Sequence, residues 1–127
     1  VASRTITDCH WRLRRVWLQC SRIWKEKYPA GPTVFLTCTY RSNEEQAQLY
    51  AKGRTAPGSI VTHIKANGKH NLFPAHAFDI AFKDAQGVVK WDAVYFERFA
   101  AIVKEEFKDV QWGGDWKNFK DLPHFEI

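Results

Sequence analysis

Apolar residues recur at helical spacing early in the chain. Leu13, Val16, Trp17, Cys20, Ile23 and Trp24 share one face, and Arg12, Arg14, Arg15, Arg22 and Lys25 lie on the other. The pattern predicts a helix to about Lys27, capped by Thr7 or Asp8 and stopped by Tyr28-Pro29-Ala30-Gly31-Pro32. Thr33 to Tyr40 is β-branched and aromatic, the composition of a strand. Ser42 and Glu45 have the spacing of a capping box, so a second helix runs to about Lys52 and stops at Gly53, with Gln46, Leu49 and Tyr50 inward. From Ala77 to Phe82 the chain alternates, with Phe78, Ile80 and Phe82 on one side and Ala77, Asp79 and Ala81 on the other. Val88 to Trp91 predicts a short strand that pairs back after a turn. A third helix follows, capped by Asp92, from about Ala93 to Phe107, with Val94, Phe99, Ile102, Val103 and Phe107 buried. Val110-Gln111-Trp112 and Pro123 to Ile127 complete the chain as short extended segments around a Gly113-Gly114-Asp115-Trp116 turn.

Composition narrows the class. The 127 residues are 45% hydrophobic and 15% aromatic, enough for one compact core, and no repeat, low-complexity segment or linker divides them; a single domain, 1–127, is expected. No apolar run reaches the length of about 18 residues that a membrane span needs. The first apolar stretch is interrupted by arginines, unlike a signal peptide. A net charge of +5 favours an acidic partner: nucleic acid, anionic lipid or cell-wall polymer. Nucleic acid fits poorly, because the arginines lie on one helix with no stacking platform among them. That basic face reads first as a solvated surface and alternatively as an anion-binding one. Cys9, Cys20 and Cys38 are odd in number, form no CxxC pair and sit in apolar patterns, which predicts buried thiols and synthesis in a reducing compartment.

The chemistry concentrates late in the chain. Residues 53–76 form a long irregular stretch carrying His63, His70 and His76. Asp79 follows mid-strand between alanines, poorly placed for a bland core and well placed to hold a cation in a cleft. His70, Asp79 and His124 would make a His2Asp zinc set with a fourth position for water. His76, three residues before Asp79, is the alternative first ligand; if the strand begins near Ala77 it faces away from Asp79, which favours His70. Asp121 precedes His124 by three residues and is the candidate proton acceptor. Arg41, at the end of the first strand, is the candidate for stabilising charge on a tetrahedral intermediate. His10 and His63 read as structural.

Three blocks then match a family. Thr39-Tyr40-Arg41-Ser42-Asn43-Glu44-Glu45-Gln46, the pair His70-Asn71 with Ala77-Phe78-Asp79, and Trp112 to Trp116 through Asp121-Leu122-Pro123-His124-Phe125 resemble the L-alanyl-D-glutamate endopeptidases of bacteriophages and bacteria. These belong to a larger group of zinc peptidases of peptidoglycan that includes D-Ala-D-Ala carboxypeptidases. The resemblance implies a small α+β domain with a central antiparallel sheet, flanking helices and a zinc cleft on the sheet. It implies Zn2+ on His70, Asp79 and His124, with Asp121 as base and Arg41 polarising the scissile carbonyl. Gln46 and Ser42 are expected to touch substrate or support the site. Two departures stand out: Gly68 replaces the family's serine before the first histidine, and the spacing from His70 to Asp79 is longer by two residues. The implied protein is a monomeric phage endolysin that cuts stem peptides between L-Ala and D-Glu. It would be made in the host cytoplasm and act on the wall after holin-type release, with the basic first helix near the anionic envelope. The rival functions are a D-Ala-D-Ala carboxypeptidase and a metal-free wall-binding module on the same fold.

Overall fold

The computed structural model describes residues 1–127 and is α+β: three helices pack around one antiparallel sheet. The helices are α1 (Trp11–Lys27), α2 (Asn43–Ala51) and α3 (Ala93–Glu106); the strands are β1 (Thr33–Cys38), β2 (Ala77–Lys83), β3 (Val89–Lys90), β4 (Gln111–Trp112) and β5 (His124–Glu126). Strand order is β1-β2-β5-β4, with β3 pairing the far end of β2. The predicted alternation of β2 sets the layers. Phe78, Ile80 and Phe82 enter the core, where Trp17 meets Phe78 and Trp24 meets Phe82, while Phe96 and Phe99 of α3 close around Phe82. Both long helices therefore cover one face of the sheet. The opposite face, bearing Asp79, is left for chemistry.

Local details depart from the expectations where backbone pairing intervenes. The N-cap of α1 is His10, whose Nδ1 accepts from the Arg12 N–H at 3.2 Å, rather than Thr7 or Asp8. Before it, Ile6–Asp8 is a short 3-10 turn and Cys9 is extended against Ala75, whose N–H donates to Asp8 O at 2.8 Å and whose carbonyl accepts from the His10 N–H at 2.9 Å. A helix cannot start inside that pairing. The same pairing takes up the extra residues between His70 and Asp79, which reach out to the N-terminal segment while His70 stays over the sheet. Asp92 stands at the N-cap of α3 without a side-chain cap bond, and Val94 is exposed. Phe96, Phe99, Ala100 and Val103 hold the inward stripe, and Val94 lies about half a turn from Phe96.

Phe82 is fully buried against four aromatic rings, Trp24, Tyr95, Phe96 and Phe99. Phe82→Ala is expected to lower stability by about 3–5 kcal/mol through lost burial and a residual cavity. Urea unfolding of the metal-free protein reads this as a lower midpoint at unchanged slope. A shift below about 1 kcal/mol would mean that this aromatic cluster is not the core of the fold.

Candidate active site

Register across three strands assembles the site. Asp79 on β2 lies opposite Cys38 on β1 and His124 on β5. Directly opposed residues share a face, so the three side chains form a row with the carboxylate in the middle. A bulge in β1 makes this possible: the register shifts between Leu36 and Cys38, and without it Cys38 would oppose Phe78. His70 arrives from outside the sheet on a short 3-10 turn, Lys69–Asn71. Its carbonyl accepts from the Arg41 N–H at 2.9 Å, and the Asn71 amide spans from Gly68 N–H to Arg41 O.

Both histidines are buried and aimed at one oxygen. His70 Nε2 and His124 Nδ1 each lie 3.1 Å from Asp79 Oδ1. The remaining ring nitrogens have acceptors: His70 Nδ1 lies 2.7 Å from Thr39 O, and His124 Nε2 lies 2.8 Å from Glu126 Oε1. An acceptor on one nitrogen holds the proton there and leaves the lone pair of a neutral imidazole on the other. Both lone pairs then face Asp79. Without a cation the row keeps protons instead. Burial pushes His124 down, but Asp79 and Glu126 outweigh it and hold its pKa up at about 9; His70 is likewise raised against its burial, chiefly by Asp79. Burial opposes ionisation of Asp79, yet the two imidazoles hold its carboxyl far below the usual range. Two imidazoles and a carboxylate converging with lone pairs inward are the donor set of a catalytic zinc site. The residues present therefore fit the metal that the sequence implies.

Asp121 stands beside this set, with Oδ2 3.8 Å from His124 Nδ1. Its ligand-type atom and those of Asp79 and His124 all lie within 4.8 Å of one another. Burial, then the nearby Asp79 charge, raise the Asp121 carboxyl above its ordinary value, which makes it a better proton acceptor. Its backbone is fixed by Gly113: Asp121 N–H donates to Gly113 O at 3.0 Å, and a Cβ on Gly113 would collide with the Asp121 carbonyl oxygen and lie 2.9 Å from Asp121 Cβ. Only glycine permits that approach. Arg41 reaches the same cleft, its guanidinium donating to Gln46 Oε1 at 3.0 Å and Cys38 Sγ at 3.3 Å.

The other expected residues separate. His76 turns to His10, ring edge to face at 5.3 Å, and does not join Asp79. Ser42, expected near substrate, lies outside the cleft lining and uses its hydroxyl in the capping box with Glu45. Gln46 does line the cleft, but its amide is engaged on both sides: Oε1 accepts from Arg41, and Nε2 donates to Ile64 O at 2.7 Å. It braces Arg41 against residues 61–64. At Gly68, in place of the family's serine, a Cβ would come within 2.8 Å of Ile64 Cγ2, so a side chain there requires the exposed Ile64 to shift. Two contacts were not anticipated from the sequence. Cys38 is buried as expected, but its sulfur lies 3.6 Å from His70 Nδ1. Glu126 meets His124 Nε2, and the two residues, two apart on a strand, share a face. The site opens into a cleft of about 1040 Å³. Val61, Thr62, Ile64, Trp116, Asn118 and Phe119 belong to its lining, and His63 meets Phe119 at 4.4 Å.

Known proteins resemble this chain in sequence and in fold. The chain is 34% identical over 104 residues to the peptidoglycan L-alanyl-D-glutamate endopeptidase CwlK of Bacillus subtilis, covering 76% of this chain. It spans 62% of the length of that relative. Among solved structures, the L-Ala D-Glu endopeptidase ChiX of Serratia marcescens has the same fold, with a TM-score of 0.74 at 24% identity over 100% of this chain and 88% of that one. Residues 63–127 match the peptidase M15 family described as D-alanyl-D-alanine carboxypeptidase. That span is more than half of the chain and carries His70, Asp79, Asp121 and His124, so the chain belongs to the peptidase M15 family.

Proposed function

We propose that the chain is a zinc-dependent peptidoglycan endopeptidase that hydrolyses the bond between L-Ala and D-Glu of stem peptides. The observation that carries this reading is the convergence of two imidazole lone pairs on Asp79, with Asp121 beside them in an open cleft. The relatives' activity supports the choice of bond. His70, Asp79 and His124 would hold the metal. Bound there, zinc would supply a Lewis acid and lower the pKa of its water to roughly 7.

The chain's own residues do the rest. Attack of a water oxygen on the amide carbonyl carbon releases a proton. Asp121, raised by burial, accepts it and returns it to the nitrogen as the C–N bond breaks. Arg41 donates to the carbonyl oxygen as negative charge gathers there, braced by Gln46. Glu126 keeps the proton of His124 on Nε2, so that Nδ1 stays a ligand atom. The wider role we propose is lysis of a bacterial wall by a phage-type endolysin. The enzyme would be made in a host cytoplasm and reach the wall once the inner membrane is opened. Three free, buried cysteines support synthesis in a reducing compartment.

Digestion of purified peptidoglycan, followed by mass spectrometry of the products, tests the activity. Fragments freed at L-Ala–D-Glu, lost with chelator and regained with zinc, are expected. Asp121→Asn should lower kcat by about 10²–10⁴-fold while zinc content is unchanged. Release of terminal D-Ala alone would identify a carboxypeptidase, and no cleavage with any metal would identify a binding module. Glu126 makes a separate prediction. Glu126→Ala should weaken zinc binding by about 10–100-fold, and Glu126→Gln, which keeps an acceptor, should recover much of it. Competition with a chromophoric chelator measures both, and equal affinity in all three proteins would remove Glu126 from the site.

A further inference from the structure

The net charge of this chain sits on one helix. Helix α1 holds six of the nineteen basic side chains and one of the fourteen acidic ones, so the remaining residues carry thirteen of each sign. The whole +5 is that of α1. Its inner stripe, Leu13, Val16, Cys20 and Trp24, is buried in the core. Its outer stripe is Trp11, Arg15, Leu18, Arg22 and Lys25, spaced four, three, four and three residues apart, which places all five within one narrow face. All five are exposed, with Trp11 at 56% and Leu18 at 63%. Arg15 and Lys25 make no ion pair, and Arg22 has only a 3.9 Å contact with exposed Glu26. Arg12 and Arg14, off this face, are used internally, on Asp109 and on Cys9 O.

A solvated face does not need a tryptophan and a leucine set among its cations. A soluble polyanion would use the cations and leave both apolar side chains in water. An anionic lipid surface uses both kinds, phosphates meeting the arginines and lysine while Trp11 and Leu18 enter the interfacial layer. No helix is long and apolar enough to cross a membrane, so the contact would be peripheral. We propose that the outer face of α1 docks the enzyme on the surface of an anionic phospholipid bilayer. The orientation is useful. Helix α1 packs on the Phe78 and Phe82 face of the sheet, and Asp79 lies on the other, so the docked enzyme turns its cleft away from the membrane. The proposal does not depend on which bond is cut.

Flotation with vesicles of phosphatidylglycerol and phosphatidylcholine (30:70), against vesicles of phosphatidylcholine alone, tests it. Binding to the anionic vesicles only, weakened at 0.5 M salt, is expected. Each cation at such a surface is worth about a factor of five, so Arg15→Gln, Arg22→Gln and Lys25→Gln together should reduce partitioning on the order of 100-fold. Trp11→Ala with Leu18→Ala should reduce it roughly 10-fold. All five residues are exposed, and unchanged urea midpoints check that the variants fold. Equal binding to both vesicle types overturns the proposal. So does an intact vesicle affinity in the triple variant. A third contrary result is loss of the triple variant's binding to soluble polyphosphate with no effect of Trp11 or Leu18 on vesicles, which would assign the face to a wall polyanion instead.

Discussion

A carboxylate placed in the middle of a sheet must be compensated, and much of this structure follows from how Asp79 is. Its neighbours across the strands are Cys38 and His124, and His70 comes down on it from a turn. Burial alone would neutralise the acid; two imidazoles keep it ionised. Breaking one partner of such a group leaves a buried charge unpaired, so the row is held tightly by what surrounds it. The bulge in β1, the Asn71 bridge and the glycine at 113 all serve positions in or beside that row.

The same compensation makes the row a site. Protons on the imidazoles and a metal ion are alternative answers to one buried negative charge. Thr39 O and Glu126 favour protons on one ring nitrogen of each histidine, and so set which nitrogens would be open to a metal. Asp121 then sits close enough to sense Asp79 yet remains open to the cleft, and the repulsion raises its affinity for a proton. One carboxylate is pushed down and its neighbour up, the division that a metal ligand and a base would need.

The periodic parts of this fold were legible in the sequence. Alternation from Ala77 to Phe82 showed which way Asp79 faces, and it turned His76 away; the structure indeed points His76 at His10. The apolar stripe of α1 and the capping box of α2 also appear where spacing placed them. Long-range pairing was not legible. Ala75 pairing with Asp8 and His10 around an extended Cys9 moved the N-cap of α1 to His10, and no local signal marks that contact. Cys38 looked like any small buried residue because its place beside His70 depends on a one-residue bulge. Glu126 carried a signal in its spacing from His124, visible once the last segment is a strand. Ser42 satisfied two descriptions at once, cap and substrate contact, and the structure shows the cap.

Proton release on zinc binding tests the central claim most directly. Calorimetric titration of the metal-free protein at pH 7, in buffers of differing ionisation enthalpy, counts the protons displaced per metal. His70 and His124 are both raised above their ordinary value, so binding of one zinc should expel at least one proton. Asp79→Ala should abolish the binding, and His76→Ala should leave it intact. Zinc bound without proton release, or binding lost with His76 and kept without Asp79, would contradict the account.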